Sequence, residues 1–91
     1  MHPDDLPEIV DIQLKVYVEE LQESPEVIAQ RLVQVPDLAI VAEDQEGICG
    51  YLFSYRSQPG VITPLDGNFV EPAQSNCLYL HDLAVAPRAL R

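Results

Sequence analysis

Positive charge is scarce in this chain: five Lys plus Arg stand against fifteen Asp plus Glu over 91 residues, a formal net charge of −10. Neutralising nucleic-acid phosphates requires clustered Lys and Arg, so nucleic acid is not an expected partner. An acidic surface instead concentrates a cation such as an amine, although acids on a solvated face serve solubility equally well. Cysteine is scarce too. Cys49 and Cys77 form no closely spaced pair of the kind that makes a redox or zinc motif, and each is expected to fill a strand position as a small apolar residue. No apolar run approaches the length of a membrane span, and Met1-His-Pro-Asp-Asp5 lacks the basic and apolar regions of a signal peptide. No membrane partner and a cytoplasmic location are therefore expected.

What is present is ordinary. Hydrophobic residues make up 47% and charged residues 22%, the balance of a soluble globular protein rather than a disordered acidic tail. The length bounds the chain at one small domain over residues 1–91, near the lower limit for a self-sufficient core.

Leu6, Val10, Leu14, Tyr17 and Leu21 recur at helical spacing, and Ile9, Ile12 and Val16 widen the stripe, which predicts an amphipathic helix from Leu6 to Leu21. Asp4 and Asp5 at its start and Pro7 in its first turn supply capping and dipole-matched groups. Ser24-Pro25-Glu26 then reads as the cap and first turn of a second helix running to about Val35, with Ile28, Leu32 and Val35 as its apolar stripe. Pro36 stops it. Leu38 to Ala42 is a short continuous apolar run, expected as a strand covered on both faces. Glu43 to Gly47 is a polar turn, and Ile48 to Tyr55 is the return strand of a hairpin. Tyr51, Phe53 and Tyr55 share one face of it, as core residues or as the lining of a ligand cleft. Ser57 to Asn76, with Pro59, Gly60, Pro64, Gly67 and Pro72, has no sustained period; a loop this long either binds something or is a surface excursion. A last strand runs from Cys77 to Ala86, ended by Pro87. The expected fold class is α/β with a mixed α+β sheet: two N-terminal helices, then a three-stranded, largely antiparallel sheet.

The closing phrase Leu78-Tyr-Leu-His-Asp-Leu-Ala-Val-Ala-Pro-Arg-Ala-Leu-Arg91 resembles the entry to the acetyl-coenzyme A site of the GNAT superfamily of N-acetyltransferases. That pattern is an apolar strand, Leu-Ala-Val-like residues, Pro, then a Gln/Arg-x-x-Gly-x-Gly/Ala loop. The hairpin phrase from Ala39 to Leu52 adds to the resemblance, which covers nearly all of the chain and corresponds to the N-terminal half of such a domain. Met1 to Ile9 resembles the junction after the family's first strand, so both ends are expected to be trimmed relative to a whole domain.

The resemblance implies that acetyl-CoA is the co-substrate and a small amine the acceptor, joined by direct attack without a metal or a covalent enzyme intermediate. It sets the pantetheine arm against Leu83, Ala84 and Val85, and leaves Arg91 as the part of the diphosphate cradle that this chain contains. The family's general acid, a tyrosine, is expected beyond Arg91. His81 matches a strand position that carries a proposed base in some members, and imidazole titrates near neutral pH; a histidine that merely hydrogen-bonds at the strand's end is the plainer reading. Asp82 would face away from His81 under strict alternation, but a bulge would bring both to one side. The acceptor pocket is expected from Tyr17, Glu20 and Glu23, with Tyr79 and the 57–76 segment, although Tyr79 reads equally as core. The same resemblance leaves open a chain inactive alone, a degenerate non-catalytic module that pairs through an exposed strand edge as a homodimer, or a stand-alone α/β domain of other function.

Overall fold

A computed structural model describes residues 1–60, 63–67, 69 and 74–90. Two helices, α1 (Leu6–Val16) and α2 (Pro25–Gln34), precede three strands, β1 (Ala39–Asp44), β2 (Gly47–Ser57) and β3 (Cys77–Val85). The strands form one antiparallel sheet in the order β1-β2-β3. Short 3-10 turns lead into α1, join α1 to α2 and follow β3.

The start of α2 follows its sequence signal: Ser24 Oγ accepts the Val27 N–H at 3.2 Å and Pro25 occupies the first position. Its buried face holds Ile28, Arg31 and Leu32, so a charged residue sits among apolar ones at core spacing. The first helix is shorter than its periodicity predicts. It ends at Val16 because Tyr17 turns to extended backbone, where its carbonyl accepts a hydrogen bond from the Gln22 side chain at 2.9 Å. Its buried face is also rotated. Ile9, Ile12 and Gln13 are buried, whereas Leu14, Val16 and Leu21 from the predicted stripe are exposed.

Both helices pack on one face of the sheet, where Ile9, Ile12, Ile28 and Leu32 meet Tyr51, Phe53 and Tyr55. The aromatic side of β2 is thus core. The opposite face is open. Ile40, Leu52 and Leu83 stand side by side across the three strands, and Ile40 and Leu83 are 52% and 63% exposed. The expectation that β1 is covered on both faces fails for this reason: helices lie over only one side of it.

The pairing of β2 with β3 contains one irregularity that matters for chemistry. Phe53 pairs with Asp82 but Ser54 pairs with Leu80, so His81 has no partner and is the extra residue of a bulge. Without it, His81 and Asp82 would point to opposite faces. With it, both side chains lie on the helix-covered side.

Candidate active site

A pocket of about 200 Å³ lies on that side, lined by Tyr17, Leu21, Glu23, Leu65, His81 and Asp82. Each residue arrives from a different local device. Tyr17 is the residue at which α1 breaks, Glu23 precedes the cap of α2, and Leu65 comes from the turn in which Gly67 N–H donates to Pro64 O at 2.9 Å. The bulge of β3 supplies the last two.

Asp82 is held by two phenols. Tyr17 O–H donates to its Oδ1 at 2.8 Å and Tyr51 O–H to its Oδ2 at 2.9 Å. Burial, with the hydrogen bond and charge of Asp82, pushes both tyrosines above the usual phenol range, so they remain donors. The Tyr17 hydroxyl also lies 3.1 Å from Leu83 O.

Glu23 is the centre of a second cluster. Its carboxylate is paired with the buried guanidinium of Arg31 through both oxygens, accepts Asp66 N–H at 2.7 Å, and lies 3.6 Å from His81 Nε2. Burial alone would raise this carboxyl, but the bonds to His81, Arg31 and the Asp66 backbone outweigh it and hold the group at about 2. Gln13 fixes the Glu23 backbone from both sides, donating from Nε2 to Glu23 O at 2.9 Å and accepting Glu23 N–H at 2.8 Å.

The same ion pair anchors the turn that carries Leu65. Arg31 donates to Gly67 O at 2.8 Å, and Asp66 accepts Ser24 N–H at 2.8 Å while its own N–H goes to Glu23. These bonds hold Asp66 at φ 63°, a left-handed conformation that Asp tolerates better than most residues. The Phe69 ring covers the pair, 4.8 Å from the Arg31 guanidinium carbon, and meets the His81 ring edge-on at 5.3 Å.

Tyr17, Glu23, His81 and Asp82 converge on the pocket. Glu20 is exposed on the 3-10 turn, and Tyr79 packs 5.2 Å from Tyr55 rather than lining the cavity. Ala84 is buried, whereas the Leu83 side chain lies on the open face. Since Ala86 N–H donates to Cys49 O at 2.7 Å, antiparallel alternation sends the peptide groups of Ala84 toward Tyr51 and those of Leu83 and Val85 toward the other edge. Of these three residues, Leu83 and Val85 therefore direct their peptide groups to the outer edge of β3, where Leu83 O also accepts from the Tyr17 hydroxyl at 3.1 Å. Arg91 lies outside the described residues, as do residues 61, 62, 68 and 70–73 of the long loop.

The sequence placed Leu65 within the 57–76 segment expected at the acceptor pocket, and Tyr51 on a face read as core or cleft lining, but it did not mark Arg31 or Gln13 as parts of the site. These two left only a positional trace: Gln13 follows Ile9 by four positions, and Arg31 lies between Ile28 and Val35, where a solvated helix face is not expected. Among the described residues, no group of three or more His, Cys, Asp or Glu is arranged to hold a metal ion, and no helix is long and apolar enough to cross a membrane.

Two helices over one face of an antiparallel sheet, with a polar pocket beside its last strand, match part of a GNAT-like fold seen in solved structures. The GNAT-like decarboxylase GphF, solved in complex with isobutyryl-CoA, is similar over 97% of this chain and 47% of its own, with a TM-score of 0.81 and 18% identity. A structure described as histone acetyltransferase HPA2 and related acetyltransferase, from Corynebacterium glutamicum, is similar over 98% of this chain and 59% of its own, with a TM-score of 0.53 and 19% identity. The chain thus spans about half the length of these solved structures. No protein-family model matches the sequence, and no curated protein is significantly similar to it.

Proposed function

We propose that this chain serves acetyl-CoA-dependent N-acetylation of a small amine. The observation that carries the reading is the convergence of His81, Asp82, Tyr17 and Glu23 on one pocket next to Leu83. An alkylammonium has a pKa of roughly 10 and must lose a proton before it can attack. The His81 imidazole takes that proton, directly or through one water. The neutral amine then attacks the thioester carbonyl, the C–S bond breaks, and coenzyme A leaves as the thiolate; the acylated nitrogen gives up its second proton, and the thiolate takes one up through solvent to give the free thiol. Leu83 and Val85 align the pantetheine arm as an added strand. Arg31 already pairs with Glu23, whereas among the described residues the Asp82 carboxylate is bonded only by two phenols, which suits a singly charged acceptor with an apolar body between Leu21 and Leu65.

The test is thiol release from acetyl-CoA with a panel of small primary amines, beside calorimetric titration of acetyl-CoA. Amine-dependent release that falls in His81→Gln supports the reading. Acetyl-CoA binding without amine-dependent release overturns it.

The greater similarity to the decarboxylase favours a second reading, loss of CO2 from a carboxylated acyl-CoA with His81 protonating the resulting enolate. CO2 release without an amine selects it, although the Asp82 carboxylate opposes an anionic acyl group in this pocket. A non-catalytic module is favoured instead by the outward peptide groups of Leu83 and Val85, which suit pairing with a second copy. A stable monomer in size-exclusion chromatography counts against that alternative.

A further inference from the structure

We propose that Glu23 is a positioning residue for His81, and that it orients the imidazole instead of binding the acceptor's ammonium. The inference rests on the reading of His81 as the base, and concerns which nitrogen acts and what decides it.

A carboxylate that binds an incoming ammonium must offer it an unused oxygen in an accessible place. Glu23 does not. It is 5% exposed; Arg31 engages both of its oxygens and Asp66 N–H takes one of them again. The remaining approach, at Oε1, is filled by His81 Nε2 at 3.6 Å. That spacing is long for a hydrogen bond but close enough for the carboxylate's charge to act on a ring that is itself only 10% exposed.

The carboxylate also cannot move away. Gln13 holds its backbone, Arg31 its head, and the 63–67 turn its far side. The other groups around the imidazole are not equivalent. Phe69 offers a ring at 5.3 Å and Tyr79 one at 6.2 Å. The Tyr17 and Tyr51 hydroxyls and Asp82 are engaged with one another. Glu23 is therefore the fixed negative charge that the ring faces, and it favours the neutral tautomer with its proton on Nε2. The proton-accepting nitrogen is then Nδ1. A second role follows from the same bonds: Glu23 fixes the turn that carries Leu65, so it sets one pocket wall and the base together.

The experiment compares the wild-type chain with Glu23→Gln/Arg31→Met by nitrogen-15 NMR of the His81 ring. The double substitution removes the buried cation with the anion, because Glu23→Gln alone would strand Arg31. In wild type, Nε2 is expected to carry the proton in the neutral ring. In the variant, the amide oxygen is retained by Asp66 N–H and the amide NH2 faces the ring, so the Nε2 resonance should move toward the unprotonated position. Unchanged ring shifts in a folded variant, or a proton on Nδ1 in wild type, overturn the proposal.

Turnover supplies a second readout. A positioning residue predicts a fall in kcat of about tenfold, beyond any change that release of the Leu65 turn makes in the amine KM. An unchanged kcat in the variant would overturn the proposal. If neither protein releases thiol, the reading of His81 as a base fails, and the NMR comparison still decides whether Glu23 orients the ring.

Discussion

The hydroxyl of Tyr17, the residue at which α1 breaks, stands 2.8 Å from Oδ1 of Asp82 in the bulged segment of β3, a bond across 65 positions of sequence. It ties the helix layer to the sheet at the pocket and sets the Asp82 carboxylate opposite its second phenol donor, Tyr51. Tyr17→Phe keeps the ring and removes the bond. A hydrogen bond to a charged group contributes about 1.5–3 kcal/mol, and partial exposure of Tyr17 puts the expected loss near the lower figure. Chemical denaturation of wild type and Tyr17→Phe measures it. Equal midpoints would mean that water replaces the hydroxyl without cost.

The Glu23–Arg31 pair predicts a defined loss of stability in acid. The carboxyl titrates at about 2 in the folded protein against 4.5 for the ordinary side chain. A lowered folded pKa means that the stabilisation is complete above about pH 4.5 and disappears as pH falls toward 2, with a total on the order of 3 kcal/mol. Urea midpoints at pH 7, 5 and 3 should fall through this window in wild type. The fall should be smaller in Glu23→Gln/Arg31→Met, and parallel curves would place the acid sensitivity elsewhere.

Arg88 follows β3 and clasps the β1–β2 turn, bonding to Asp44 at 2.6 Å, Glu46 at 2.8 Å and the carbonyl of Ile48 at 3.2 Å. Its charge is raised in pKa, and Asp44 lowered, chiefly by their mutual hydrogen bond. Arg88→Ala should speed amide hydrogen exchange in residues 44–48 while leaving the Tyr17 end of the molecule unchanged. The difference should shrink in concentrated salt, since the cluster is solvent-exposed and screened. Insensitivity to salt would assign the clasp to the carbonyl contacts alone.

The open sheet face predicts a surface property. Ile40, Leu78, Leu80 and Leu83 are each more than half exposed, and apolar exposure on this scale recruits hydrophobic probes. An environment-sensitive dye should bind the folded chain, and Ile40→Thr with Leu83→Thr should reduce the signal without altering circular dichroism. An undiminished signal would direct attention to the apolar hollow of about 490 Å³ bounded by Leu6, Val10 and Ala29 on the helix layer.

Much of the architecture was legible because it is local. Ser24-Pro25 marks a cap by its own chemistry, and Tyr51, Phe53 and Tyr55 mark a face by alternation. The helix end at Tyr17 was not legible, because Gln22 closes back on the Tyr17 carbonyl and no period records that. For the site, His81 and Asp82 could be named from the strand phrase, but their shared direction depends on pairing with Phe53 and Ser54, which no single strand encodes. Glu23 stood out as one acid among several near Leu21. Its difference from exposed Glu20 comes from Arg31, eight residues away in sequence and inside the core.

The extra residue in β3 has a consequence for how this molecule can change. Removing one residue between Cys77 and His81 would restore unbroken pairing, which by itself favours a sheet, yet it would exchange inner for outer side chains along that stretch. Composition would hardly alter and the strand would survive. The imidazole would leave its neighbours all the same. Reading frame within the strand, more than the identity of any one side chain, is what keeps His81 and Asp82 on one side of the sheet.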